Sequence, residues 1–66
     1  MNYRDKPNLR NPKVAIATFR DWCQKEHVVA DHASIGDLDR FGEFLLEYGY
    51  TYDEMQNCKY VIWDNL

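Results

Sequence analysis

Apolar positions recur with helical spacing in three stretches of this 66-residue chain. In the first stretch, apolar side chains fall on one stripe of a helix and charged side chains fall opposite. This stripe consists of Ile16, Phe19, Trp22 and Cys23. Asn11 and Pro12 stand immediately before it, and they are the residue types favoured at the N-cap and at the first helical position. The pattern predicts a first helix over residues 12–27.

Two further stretches each open with a Ser/Thr-x-x-acid sequence. Ser34 precedes Asp37 by three residues, and Thr51 precedes Glu54 by the same distance. In such a capping box the hydroxyl accepts a backbone hydrogen bond at the helix start, and the acidic side chain accepts one in return. We therefore expect helices to begin just after Ser34 and Thr51.

The second stretch has a broad apolar face and a glycine at its end. This face consists of Ile35, Leu38, Phe41, Leu45 and Tyr48. Gly49 takes the left-handed conformation cheaply, as a helix end requires. Gly42, in mid-helix, favours a close contact with another helix. The second helix is predicted over residues 35–48.

The third stretch permits two interpretations. Met55, Cys58, Ile62 and Leu66 recur at helical spacing. Residues 60–63 are a β-favouring run, so a short terminal strand competes with the helix. We favour a helix over residues 52–65 because a single strand would have no obvious partner in this chain.

Residues 1–10 show no apolar periodicity and contain Pro7, which indicates an extended arm. Tyr3 and Leu9 are the residues of this arm that could dock on the domain. The sequence therefore predicts an all-α protein, a small bundle of three principal helices. Residues 11–66 would form a single helical domain behind the arm.

The formal net charge of −3 is distributed unevenly along the chain. Residues 1–20 carry five basic side chains against one acidic side chain, and residues 21–66 carry three against ten. The five basic residues are Arg4, Lys6, Arg10, Lys13 and Arg20. A basic arm thus precedes an acidic body, an asymmetry that can mark an electrostatic surface for a partner.

The chain shows no signal peptide and no run of 18 apolar residues, so we expect a cytoplasmic protein that does not enter the membrane. Cys23 and Cys58 lie far apart in the sequence, and each falls near an apolar helical face. Because cysteine is among the most buried residue types, both are interpreted as reduced thiols of the core.

The stretch from Phe19 to Trp63 resembles the YozE family of small bacterial proteins. The residues that carry the resemblance are Phe19, the turn Asp31-His32-Ala33-Ser34, the segment Phe44-Leu45-Leu46-Glu47, and Tyr52, Met55 and Tyr60 to Asp64. The chain lacks the family's Phe-Pro after this turn, and Tyr60 stands three rather than four residues before Trp63. The resemblance implies a fold like that of the sterile alpha motif (SAM). It implies no activity, because the family is functionally uncharacterised.

The residues offer little catalytic chemistry. Cys23, His27, His32 and Cys58 are four residues of types that can ligate a metal, but no Cys-x-x-Cys pair is present and the residues are scattered over three elements. The three glycines form neither a phosphate-binding loop nor a dinucleotide fingerprint. A cleft for a small-molecule substrate would also consume much of so small a core. We expect no enzyme activity, no metal and no cofactor.

Binding to another protein is the function that the sequence favours. Several aromatic residues lie at the margin of the predicted core, and Tyr and Trp are enriched at binding hot spots. The candidate partner-binding residues are Tyr50, Tyr52, Tyr60 and Trp63. The sequence names neither the partner nor the oligomeric state.

Two alternatives rest on charge. The first alternative is a phage or mobile-element inhibitor whose carboxylates imitate DNA phosphates toward a DNA-binding protein. These carboxylates are Asp37, Asp39, Glu43, Glu47, Asp53 and Asp64. The other alternative is weak nucleic-acid binding through the basic arm. It is disfavoured because the acidic body would repel the same phosphates.

Overall fold

The computed structural model describes residues 7–65, and this part of the chain folds into three α-helices joined by short connections. The helices are α1 (Pro12–Lys25), α2 (Ile35–Tyr48) and α3 (Tyr52–Asp64), with a short 3₁₀ helix at Ala30–His32 between α1 and α2. Residues 7–65 contain no β-strand, and residues 59–63 belong to α3. The prediction of a small all-α bundle is confirmed.

Both predicted capping boxes are present. The backbone N–H of Asp37 donates to Ser34 Oγ at 3.1 Å, and the Ser34 N–H donates to Asp37 Oδ2 at 3.0 Å. The Thr51 N–H donates to Glu54 Oε1 at 2.9 Å, and the Glu54 N–H donates to Thr51 Oγ1 at 3.2 Å. The hydrogen bond from the Ser34 backbone lowers the pKa of Asp37, because it stabilises the carboxylate. Each box satisfies donors that the first turn of a helix leaves unpaired.

Removing either cap should weaken the fold measurably. We expect Ser34→Ala and Thr51→Ala each to lower the free energy of unfolding by about 1 kcal/mol, the usual cost of losing an N-cap. Urea denaturation followed by circular dichroism measures this change. Asn57→Ala is the matched control, because Asn57 is exposed in α3 and caps nothing. Cap variants as stable as the control would contradict the prediction.

Helix α1 ends at Lys25, two residues before the predicted end at residue 27. His27 has a φ of 59°, and the Val28 N–H donates to the Cys23 carbonyl at 2.8 Å, five residues back. Gly49 has a φ of 114° at the end of α2, and the Tyr50 N–H donates to the Leu45 carbonyl at 3.0 Å. Both ends thus use the same left-handed termination. The sequence predicts this termination at Gly49, because glycine readily adopts a positive φ. It does not predict it at His27, because histidine is an unusual residue at such a helix end.

The core lies where α1 and α2 pack against α3. Its largest fully buried side chains are Phe19, Cys23, Phe41, Leu45, Cys58 and Ile62. The Phe41 ring of α2 lies 5.1 Å from the Phe19 ring of α1 between centroids. A Cβ atom at Gly42 would come within 3.0 Å of Met55 Sδ in α3. The prediction that Gly42 permits a close helix contact is confirmed.

The segment before α1 is attached to the core rather than extended away from it. Leu9 is only 2% exposed and belongs to the core, and the Tyr50 hydroxyl donates to the Pro7 carbonyl at 2.8 Å. Leu9 thus docks on the domain, as the sequence allowed, so residues 7–10 do not form an arm free of the core. Arg4, Lys6 and Tyr3 lie outside the described residues.

Candidate functional site

A groove between α2 and α3 gathers the exposed apolar side chains of this region. It has a volume of about 240 Å³. We name it the α2–α3 groove, and its lining consists of Ile35, Leu38, Asp39, Gln56, Lys59, Tyr60 and Trp63. Tyr60 is 72% exposed, Ile35 62% and Trp63 48%, whereas Leu38 is buried beneath them. Single exposed apolar residues are ordinary on protein surfaces, but three around one groove are a feature typical of binding sites.

The register of α3 explains why these rings are exposed. Met55, Cys58 and Ile62 are buried and define the inward stripe of the helix. Tyr60 follows Cys58 by two residues, which is about 200° around a helix with 3.6 residues per turn. This rotation places Tyr60 nearly opposite the inward stripe, so its ring lies on the outer face of α3. Trp63 lies at the edge of the stripe, directly after Ile62.

An ion pair crosses the groove. Lys59 Nζ of α3 lies 2.7 Å from Asp39 Oδ1 of α2, and the Lys59 side chain is only 23% exposed. The stem of Lys59 also passes Gly42, where an added Cβ would approach Lys59 Cδ to 3.2 Å. This lysine thus buries its methylenes and leaves its charge at the carboxylate. The pair links the two walls of the groove and neutralises the cation that lies within it.

The structure separates the four predicted partner-binding residues. Tyr60 and Trp63 line the groove. Tyr52 is 61% exposed, and its hydroxyl accepts a hydrogen bond of 2.8 Å from Nε2 of Gln56, itself a lining residue. Tyr50 is only 5% exposed, and burial raises its pKa to about 12. The prediction of an accessible ring at Tyr50 is therefore wrong, because this ring packs in the core.

Ile35 was missed as a functional residue. The sequence pattern assigned it to the buried face of the second helix, yet it is 62% exposed at the first position of α2. Ile35 is exposed because it is the first residue of α2, where no preceding helical turn covers it. Leu38 was also assigned to the core, correctly, but it forms the floor of the groove as well.

The predicted acidic residues do not line one groove. Asp37 caps α2 and Asp39 pairs with Lys59. Glu43 and Glu47 line a different depression, between α1 and α2, that also contains cationic side chains. Asp53 and Asp64 are exposed on α3, Asp53 in a third depression that includes Arg10. A DNA-mimicking row would require these carboxylates to follow one another along a single face.

The predicted basic residues are also divided. Arg20 Nη2 pairs with Asp31 Oδ1 at 3.0 Å, so its charge is partly compensated within the domain. Arg10 lies beside acidic residues of α3, and Lys13 is exposed in the first turn of α1. Within residues 7–65, these side chains do not form a continuous basic row on the surface.

The two thiols are free and buried. Burial raises the pKa of Cys58 to about 11, and burial followed by the charge of Asp37 raises the pKa of Cys23. Since the thiolate is the reactive form, both groups are poor nucleophiles at neutral pH. Within residues 7–65, no three His, Cys, Asp or Glu side chains are grouped so that they could hold a metal ion. Cys23, His27, His32 and Cys58 are thus not brought together.

Comparison with known proteins adds no relative. The chain matches no protein-family model, no curated protein and no solved structure. The resemblance to the YozE family and its SAM-like fold therefore stays a prediction. No helix in the described part of the chain is long and apolar enough to cross a membrane.

Proposed function

We propose that this domain is a non-enzymatic protein-interaction module that binds its partner through the α2–α3 groove. The observation that carries the proposal is the exposure of Ile35, Tyr60 and Trp63 around one groove with an apolar floor. Large aromatic side chains that enter a partner's surface supply most of the energy at many interfaces. The core is filled without these rings, because α3 buries Met55, Cys58 and Ile62 instead.

The shape of the groove supports a protein partner rather than a small substrate. Its volume of about 240 Å³ is below the range of roughly 300–1,000 Å³ that is usual for pockets holding drug-sized molecules. Its walls are two helix surfaces, and its charged groups, Asp39 and Lys59, already pair with each other. Such a depression suits the insertion of one or two side chains from a partner.

The double variant Tyr60→Ser, Trp63→Ser should lose its partner while keeping its fold. We expect a loss of affinity of roughly 30-fold or more, because truncation of a single hot-spot residue typically costs about 2 kcal/mol or more. The measurement is a tagged pull-down from lysate of the native host, with and without nuclease, quantified by mass spectrometry. The midpoint of the thermal melt should fall only modestly, since Tyr60 is largely exposed and Trp63 is half-exposed.

Val29→Ser is the matched control for this experiment. Val29 is 64% exposed and apolar, but it lies before the 3₁₀ helix and not in the α2–α3 groove. It should retain the partner at the wild-type level. Equal recovery of one protein by the wild type and the double variant would overturn the proposal.

The inhibitor alternative predicts a different pattern. If carboxylates imitate DNA phosphates, Glu43→Gln combined with Glu47→Gln should reduce capture more than the loss of Tyr60 and Trp63. Capture should also fall steeply as salt is raised, because exposed charges are screened over about 10 Å at 0.1 M salt. If the pull-down recovers only nucleic acid, and nuclease removes it, the result would instead favour nucleic-acid binding through the basic arm.

A further inference from the structure

We infer that the segment seated in the α2–α3 groove is a cationic amphipathic helix of the partner, with an apolar stripe flanked by Lys or Arg. The inference rests on the proposed function and adds the chemistry of the partner to it. The lining residues of α3 run from Gln56 to Trp63, which is about 10 Å along a helix at 1.5 Å per residue. This length matches two turns of a partner helix, which could insert one or two anchors of an apolar stripe spaced i, i+3 or i, i+4.

The charges of the groove's two helices determine the sign of the partner. Helices α2 and α3 contain two cationic residues, Arg40 and Lys59, and both are engaged. Lys59 pairs with Asp39, while Arg40 lies on the α1 side, 4.0 Å from a Glu26 carboxylate oxygen and 5.4 Å from the centre of the Trp22 ring. Neither cation is available to attract an acidic partner.

The carboxylates of the same helices are less compensated. Asp64, which follows the lining residue Trp63, and Asp53, exposed on the same helix, make no ion pair within residues 7–65. Glu43 and Glu47, by contrast, line the other depression together with Lys25 and Arg40. An unpaired charge beside a groove attracts a partner of the opposite sign and raises the rate of association. Because Asp39 and Lys59 of the α2–α3 groove pair with each other, the unpaired carboxylate of Asp64 beside Trp63 gives this end of the groove its sign, which favours a cationic segment over an acidic one.

The Trp63 end of the groove combines three features that favour a cation. Helix α3 ends there with no basic residue in its last turn, and the Asn65 amide that donates to the Val61 carbonyl at 2.8 Å carries no charge, so no cation offsets the negative end of the helix dipole. Asp64 adds a full charge one turn beyond Tyr60. The half-exposed indole of Trp63 offers a ring face on which Lys or Arg can lie. We expect a cationic residue of the partner at this end.

The test uses two synthetic helical peptides of equal length and identical apolar stripe, one flanked by Lys and the other by Glu. Each is titrated into the isotope-labelled full chain and followed by two-dimensional NMR. We expect the Lys peptide to shift the amides of Ile35 and Lys59 and the indole of Trp63, and to bind at least about tenfold more tightly than the Glu peptide.

Charge reversal at the groove should change this preference. Asp64→Lys should reduce the ratio between the two peptides by about threefold or more, because it reverses a charge beside the bound cation. Glu47→Lys is the matched control, since Glu47 lies on α2 but lines the other depression. The control should leave the ratio nearly unchanged, and an equal effect of the two reversals would overturn the inference.

Other outcomes separate this inference from the proposed function. Equal binding of both peptides in the groove would overturn the cationic helix and leave the interaction module standing. Binding of the Lys peptide beside Glu43 and Glu47 would also overturn the inference, and so would the failure of both peptides to bind. The pull-down tests the proposed function independently of these outcomes. Concentration-dependent dimerisation that Trp63→Lys abolishes would assign the groove to a second copy of the chain instead.

Discussion

Phe41→Ala is expected to lower the free energy of unfolding by about 3–5 kcal/mol, the range found when a fully buried Phe is truncated. Phe41 is 0% exposed, and its ring lies between side chains of α1. The centroid distances are 5.1 Å to Phe19 and 5.5 Å to Trp22. The substitution removes the ring through which α2 contacts both aromatic residues and leaves a cavity that its neighbours can fill only in part.

So large a loss should leave a substantial unfolded population at room temperature. A chain of 66 residues buries only about 60% of the surface that it exposes when unfolded, so its stability is small at the outset. Urea denaturation and thermal melts followed by circular dichroism measure the change. Phe44→Ala deletes the same atoms from a half-buried position on α2, and we expect it to cost about half as much. Native-like melting of Phe41→Ala would remove this ring from the core.

The helices were predictable because their signals are local. The hydroxyl of Ser34 and the carboxylate of Asp37 are three residues apart, so their mutual hydrogen bonds depend on nothing beyond that turn. The same holds for Thr51 and for the left-handed glycine at residue 49. His27 shows the limit of such signals. It adopts the left-handed conformation because the chain must reverse there to bring Val28 onto the core, a tertiary requirement.

The candidate site was predictable in part. The register of α3 placed Tyr60 off the inward stripe, and the ring is indeed exposed. Tyr50 carried no comparable signal, because it lies between two helices and its burial depends on how the chain turns after Gly49. The contribution of Ile35 and the ion pair between Asp39 and Lys59 depend on the packing of α2 against α3. Residues 20 positions apart in sequence cannot be paired from periodicity alone.

Leu9→Ala is expected to lower the free energy of unfolding by about 2–4 kcal/mol, within the range for truncating a buried leucine. From the sequence, Leu9 is a residue that could dock on the domain; a Leu9 side chain free of the core would be replaceable at little cost. Leu9 is 2% exposed and packs in the core ahead of α1. Arg10→Ala, one residue later and exposed, should change stability by less than about 0.5 kcal/mol.

The hydrogen bond beside Leu9 gives this prediction a second, independent measurement. The Tyr50 hydroxyl donates to the Pro7 carbonyl at 2.8 Å, so Tyr50→Phe should cost about 1 kcal/mol while the ring stays in place. If Leu9→Ala and Tyr50→Phe both melt like the wild type, residues 7–10 do not belong to the folded domain. If both variants are destabilised as expected, deleting residues 1–10 would damage the core. Nucleic-acid binding by the arm must then be tested by replacing Arg4 and Lys6 with glutamine rather than by deletion.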